Sequence, residues 1–319
     1  MNATSLNAQP WSALVRPAIT DTTATVSHRK YEPVRISEPE TFSALDGTSL
    51  RGVWHRPEQP RYVTVLSSAT AVPQSYYHPF ASFLAARAHA VLTWDYRGIG
   101  LSRRRRWAPE AATMDDWTDR DLPGAIRYAR AAFPDLPLLL VGHSLGGQGM
   151  LLTPRLHDAE ASLLIASGSG FWGHALPHLQ QKRRLQFNVL LPGFGRALGY
   201  VPGWMGIGED LPGGVAVQWS RRCRTPAYFE AEREAMARDN LGRLGRDVLS
   251  VSFSDDDYIP PVAVEALSRL VPDHRLALRT VTPTELGVPA IGHFKVFREK
   301  VGGALWPQLA AWLEARASR

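Results

Sequence analysis

The chain has 319 residues, 45% hydrophobic and 21% charged, with a net charge of +6 and a single cysteine, Cys223. This is the profile of an ordinary globular protein, and the length suits one large α/β domain carrying an insertion. It excludes an internal disulfide, and no apolar run approaches the roughly 18 residues of a membrane span.

The positive charge comes from arginines spread along the whole chain. The one dense run, Arg103-Arg104-Arg105-Arg106, reads as a solvated loop, and no nucleic-acid-binding motif accompanies it. No specific nucleic-acid partner is therefore expected. The start, Met1 to Leu6, lacks a basic stretch followed by an apolar one, so no signal peptide is expected. With one cysteine, this fits a cytoplasmic location.

Residues 1–37 are polar and weakly patterned, and read as a flexible N-terminal arm. Residues 42–54 form two strand patterns joined at Asp46-Gly47, a hairpin signal. Tyr62 to Leu66 reads as a short buried strand. Pro79 to Arg87 follows with Phe80, Phe83 and Leu84 on one helical stripe, then the strand Ala90 to Trp94. Asp116 to Phe133 has apolar residues at helical spacing, and Leu138 to Val141 is another apolar strand. Further strands are predicted at Ser162 to Ala166, Val248 to Phe253 and Arg275 to Val281, the last alternating like a sheet edge. Helices are predicted at Pro261 to Leu270 and Leu305 to Ala315.

Strands alternating with helices imply a mainly parallel sheet with helices on both faces. The alternation stops between Phe171 and Asp247, a stretch too long for a loop in a compact domain. It reads as an inserted lid. The expected organisation is therefore an arm (1–37), a core in two parts (38–170 and 248–319) and a lid (171–247) between them.

Gly142-His143-Ser144-Leu145-Gly146 is a G-x-S-x-G pentapeptide between an apolar strand and a helical segment. That context is the strand–turn–helix of a nucleophile elbow. The turn strains the serine, and the flanking glycines avoid collisions with neighbouring backbone. A serine attacks only if a base removes its proton, and the base needs an anion to hold its tautomer. In this architecture the chain order is serine, acid, histidine. His293, in Ile291-Gly292-His293-Phe294, follows the last strand and falls at the same sheet edge as Ser144. His274 precedes a strand and falls at the opposite edge. The acid comes from Asp255-Asp256-Asp257. The usual placement four residues before a proline selects Asp256, with Asp257 and Asp255 as alternatives. The expected oxyanion donors are the amides of Leu145 and Thr70, with Ala69 the alternative to Thr70.

These motifs, with Asp95 to Ser102 after a strand, resemble the α/β-hydrolase fold over roughly residues 40–315. More narrowly, Ala69-Thr70, Ser252 to Asp256 and Ile291 to Phe294 resemble bacterial predicted hydrolases of the serine aminopeptidase-like and lysophospholipase-like branch. Ser68-Ala69 stands where a His-Gly pair is common in that fold. The resemblance implies a serine hydrolase with the triad Ser144, Asp256 and His293. It implies a small ester-like substrate and neither cofactor nor metal. The alternatives on the same residues are an acyltransferase or a non-catalytic small-ligand-binding protein. Lid aromatics, Trp172, Trp204 and Trp219 foremost, are candidates to line a moderately hydrophobic substrate pocket. Phe171, Phe187, Phe194, Tyr200 and Met205 are the others.

Overall fold

A computed structural model describes residues 11–14, 33–104, 111–243 and 247–317. Most of the expected arm, and Arg105 and Arg106 of the basic run, lie outside the described residues. Within the arm, a short helical turn, Trp11–Leu14, buries Leu14 against the body.

Eleven strands are described: β1 (Arg35–Ile36), β2 (Glu40–Ser43), β3 (Ser49–Arg56), β4 (Tyr62–Ser67), β5 (His89–Asp95), β6 (Leu138–His143), β7 (Ala161–Ile165), β8 (Tyr200–Val201), β9 (Leu211–Pro212), β10 (Asp247–Phe253) and β11 (Leu276–Val281). Nine make the main sheet in the order β1-β3-β5-β4-β6-β7-β10-β11, with β2 paired to β3. From β5 to β11 every pairing is parallel, whereas β1, β2 and β5 pair antiparallel with β3. The leading hairpin pairs Phe42 with Leu50 around the turn at Gly47, whose φ of 83° suits glycine.

Period-2 alternation sends neighbouring side chains to opposite faces. Val63, Val65, Leu138 and Leu140 enter one apolar cluster with Ala125, Ile126 and Ala129 of the helix Leu122–Ala132. Leu66, Leu139 and Val141 enter the other, with Phe80 and Leu84 of the helix His78–Ala85 and Leu309, Trp312 and Leu313 of the helix Trp306–Ala317. Burial on both faces explains why the central strands read as unbroken apolar runs. Strand β11, at the sheet edge, is half-buried along most of its length.

The chain runs from β4 to β5 on one side and then crosses to β6 on the other. A crevice opens at such a reversal, beyond the carboxyl ends of the strands. No strand of the main sheet lies between β7 and β10. That stretch holds helical segments from Trp172 to Leu198, the β8–β9 ribbon, and the helices Gly213–Cys223 and Ala231–Arg243. The last packs on the helix Leu145–Leu152 with Ala237 in the core, so the end of the 171–247 stretch belongs with the body.

Several histidines are buried in this frame. Burial holds His55 at about 4 and also lowers His78, His89 and His143. A histidine whose folded value lies below its unfolded value supports the fold fully above about pH 6.5, and loses that support as pH falls. The histidine contribution to stability in urea is expected to drop between pH 6.5 and 4, while Asp95 and Asp121, pushed up to about 6 by burial, act the other way. His55→Gln should flatten that slope by about 2–3 kcal/mol, as read from unfolding curves across the range. An unchanged slope would remove His55 from the account.

Candidate active site

Ser144 sits between β6 and the helix Leu145–Leu152 with φ 52° and ψ −113°. A non-glycine residue holds such a conformation only when its surroundings over-determine it. The surroundings here are two glycines. A Cβ on Gly142 would collide with the amide of Gly147, and one on Gly146 with the carbonyl of Ser67 at the end of β4. Their bareness lets the helix close on the sheet. The Ser144 amide donates to the Ile165 carbonyl of β7 at 3.0 Å, which fixes the turn.

His293 and Asp256 come from loops beyond β11 and β10. Both are buried, and His293 Nδ1 lies 2.7 Å from Asp256 Oδ2. The other carboxylate oxygen, Oδ1, accepts the amides of Tyr258 and Ile259 at 2.8 and 2.9 Å. Asp255 has a separate task. It accepts the amides of Ile291 and Gly292 at 2.8 and 3.1 Å and so anchors the histidine loop. Asp257 is exposed. The three consecutive carboxylates thus diverge, and only Asp256 meets His293. His274 is exposed at the opposite end of the strands.

A second buried group completes the loop's support, and it was not anticipated from sequence. Tyr77 Oη accepts the amide of Ala69 at 2.9 Å and lies 2.8 Å from His143 Nδ1. His143 Nε2 lies 2.9 Å from the carbonyl of His293. One proton arrangement satisfies all three contacts. Tyr77 donates its hydroxyl proton to Nδ1, and neutral His143 donates from Nε2 to the carbonyl. Burial pushes the His143 value well below the ordinary one and the Tyr77 value well above it, which favours both neutral forms. The available signal was a histidine at the second position of the pentapeptide, preceding the serine.

The Ala69 amide is therefore engaged, which leaves Thr70, a residue that lines both lobes of the cleft. Leu145 begins its helix, so its amide has no intrahelical acceptor, and it too lines the cleft. The cleft has two lobes that meet at Thr70, Ser144, Trp219, Tyr258 and His293. One runs under Phe171, Trp172, Arg183 and Phe187. The other runs past Val72, Tyr76, Ile207 and Phe294. Trp172 and Trp219 are thus at the cleft, but Trp204 is not. It is 75% exposed, in the turn Gly203–Met205 that joins β8 to β9. That turn closes on Gly206 in the left-handed conformation and carries Trp204 to the outer surface beside Phe194. Phe194, Tyr200 and Met205 also lie off both lobes. Among the described residues, no group of three or more His, Cys, Asp or Glu is disposed to hold a metal ion.

Tyr77→Phe keeps the ring and removes the hydroxyl. It leaves the Ala69 amide and His143 Nδ1 buried without partners, at a cost of about 1–3 kcal/mol for an unsatisfied group. The expected result is a lower urea midpoint with an unchanged slope. A midpoint equal to that of the unaltered protein would show that the chain Ala69–Tyr77–His143 carries no stability.

The profile of the family described as serine aminopeptidase, S33 (Hydrolase_4) matches residues 58–222, half of the chain. A Salmonella typhi protein named as uncharacterized protein YfhR is 28% identical over 169 residues, 51% of this chain and 56% of that protein. A monoacylglycerol lipase of Mycolicibacterium smegmatis is 28% identical over 135 residues, 42% of this chain and 47% of the lipase. The chain therefore spans about half the length of the curated relatives it matches. Among solved structures, a soluble variant of monoglyceride lipase from Saccharomyces cerevisiae superposes with a TM-score of 0.63 at 15% identity, covering 88% of this chain and 95% of the lipase. The Pyrococcus furiosus esterase Pf2001 superposes with a TM-score of 0.58 at 11% identity, covering 88% and 91%. At these identities the superpositions speak for the fold. No helix among the described residues is long and apolar enough to cross a membrane. The chain belongs to the serine aminopeptidase S33 (Hydrolase_4) family and has the α/β-hydrolase fold.

Proposed function

We propose that this protein is a serine hydrolase that cleaves a carboxylic ester of a small, moderately hydrophobic molecule. The observation that carries the reading is the buried 2.7 Å contact between His293 Nδ1 and Asp256, in a cleft that His293 shares with the strained Ser144. The names of the relatives, a monoacylglycerol lipase and esterases, support the ester.

In this reading Asp256 holds the proton of His293 on Nδ1 and leaves Nε2 free as a base. Ser144 Oγ passes its proton to Nε2 and attacks the ester carbonyl. The oxyanion that forms receives the amides of Leu145 and Thr70, and the dipole of the helix Leu145–Leu152 points its positive end the same way. His293 returns the proton to the departing alcohol. Water then enters, loses a proton to the same base and releases the acid from Ser144. Residues from Phe171 to about Phe229 act as the lid, whose Trp172, Phe187 and Trp219 give the cleft its apolar wall.

Labelling with a fluorophosphonate probe tests the nucleophile. The unaltered protein is expected to be labelled, and Ser144→Ala and His293→Ala are expected to lose the label. Asp256→Asn should lower kcat on nitrophenyl esters on the order of 10⁴-fold, the scale seen when a triad base loses its acid. Full labelling of folded Ser144→Ala would sink the assignment.

The lid predicts a dependence on chain length. Rates on nitrophenyl esters from acetate to laurate should differ at least tenfold in kcat/KM. Equal rates across the series would argue against a shaped pocket. Added acceptor alcohols separate hydrolysis from acyl transfer: the free acid should remain the main product.

A further inference from the structure

The helix Pro177–Leu185 ends in three consecutive basic residues, Lys182, Arg183 and Arg184. Lys182 and Arg184 are exposed, as a solvated face would have them. Arg183 instead turns into the cleft and lines the lobe beneath the lid. Its guanidinium carbon lies 4.2 Å from the centroid of the Tyr258 ring. The other side of that relation is His293, whose ring stacks on Tyr258 at 5.3 Å and 22°. A fixed cation is thus placed one aromatic ring away from the proposed base.

Among the described residues, Arg183 pairs with no carboxylate. It meets the Tyr258 face and Gln186 Oε1 at 3.1 Å, and no described Asp or Glu lines its lobe. Several other partly or fully buried arginines are neutralised by carboxylates, whereas Arg51 and Arg130 are held by main-chain carbonyls. Arg97 pairs with Asp46 and Asp121, Arg103 with Glu209 and Asp210, Arg222 with Asp115 and Glu230, and Arg233 with Asp115 and Asp119. A half-buried guanidinium without a counter-charge is costly in an apolar lobe, and a ligand anion would relieve the cost. His174, which also lines the lobe, contacts Ser169 at 2.6 Å, and burial holds it below its ordinary value. Arg183 is therefore the lobe's fixed positive charge.

We propose that the ester substrate carries an oxyanionic group, a carboxylate or a phosphate, which Arg183 receives beneath the lid. This rests on the hydrolase reading and names the class of substrate. The guanidinium fork matches both oxyanions with two parallel hydrogen bonds. Stacking on Tyr258 restricts its rotamers beforehand, so less freedom is lost on binding. The lobe is small, about 60 Å³ against about 320 Å³ on the Tyr76 side. The anion must therefore lie within a few bonds of the ester.

The test compares three ethyl esters of similar length by pH-stat: ethyl butyrate, monoethyl succinate and ethyl 3-phosphonopropanoate. The unaltered protein should favour one of the two anionic esters over butyrate at least tenfold in kcat/KM, and which one is favoured identifies the oxyanion. In Arg183→Met that ratio should fall at least tenfold, while Arg183→Lys should keep part of it. Because the ratio is taken within each protein, partial misfolding cancels. The same three esters are titrated calorimetrically into Ser144→Ala and into the double variant with Arg183→Met. Tighter binding of an anionic ester that is lost in the double variant supports the site even if no ester is turned over, in which case the hydrolase reading fails alone. A ratio near one in the unaltered protein, with equal binding of all three, overturns the proposal.

Discussion

The bond between Asp256 and His293 makes demands on everything around it. Its two ends come from loops beyond different strands, β10 and β11. A charge-assisted bond of this kind loses its directing power if either end drifts by an ångström or so. The molecule meets that demand with backbone anchors rather than with side-chain packing alone. The amides of Ile291 and Gly292 go to Asp255, the carbonyl of His293 to His143, and the carbonyl of Phe294 to the Tyr76 hydroxyl. On the other side, Asp256 is fixed by two amides of its own turn. The Asp255 contacts tie the two loops together, and each end has further anchors of its own.

The same logic governs the serine. The strain of its turn is held in place by close packing, because the elbow helix approaches β6 at Gly142 and β4 at Gly146, where side chains are missing. The apolar faces of β4, β6 and β7 keep those strands fixed under it, with nearly every position buried on both sides. Cores packed this closely do not deform gradually, so a strained turn resting on them is retained. The catalytic geometry proposed here is thus an output of the sheet. Trp172, Arg183, Phe187 and Trp219, from the stretch between β7 and β10, contribute shape and charge to the cleft.

Much of this arrangement is written in local sequence. The central strands are apolar without alternation because both their faces are covered, whereas β11, at the edge, is half-buried along most of its length. Glycines around Ser144 signal close approach, and position before or after the last strand separates His274 from His293. What the sequence hides is mostly long-range and directional. The spacing to the proline singles out Asp256, but nothing in three consecutive aspartates shows that Asp255 will face backbone amides, since a turn decides that. Trp204 has the composition of a pocket residue, but the left-handed glycine after it sends it outward. Arg183 is one of three adjacent cations, and only the rotation of its helix turns it inward. Tyr77 and His143 are 66 positions apart, and nothing in either neighbourhood announces the pairing.

That pairing changes how the second position of the pentapeptide should be regarded. In the motif it is a wildcard, yet here its side chain spans from the loop after β4 to the loop bearing His293, with Tyr77 between. Its freedom to vary is consequently conditional. An exchange at 143 is compatible with the rest only when position 77 changes with it and some other donor is found for the His293 carbonyl. For anyone grafting this elbow onto another scaffold, the transferable module is not five contiguous residues. It is a discontinuous unit that includes the tyrosine, and a graft without it would inherit the strained serine while losing the brace between the loops around it.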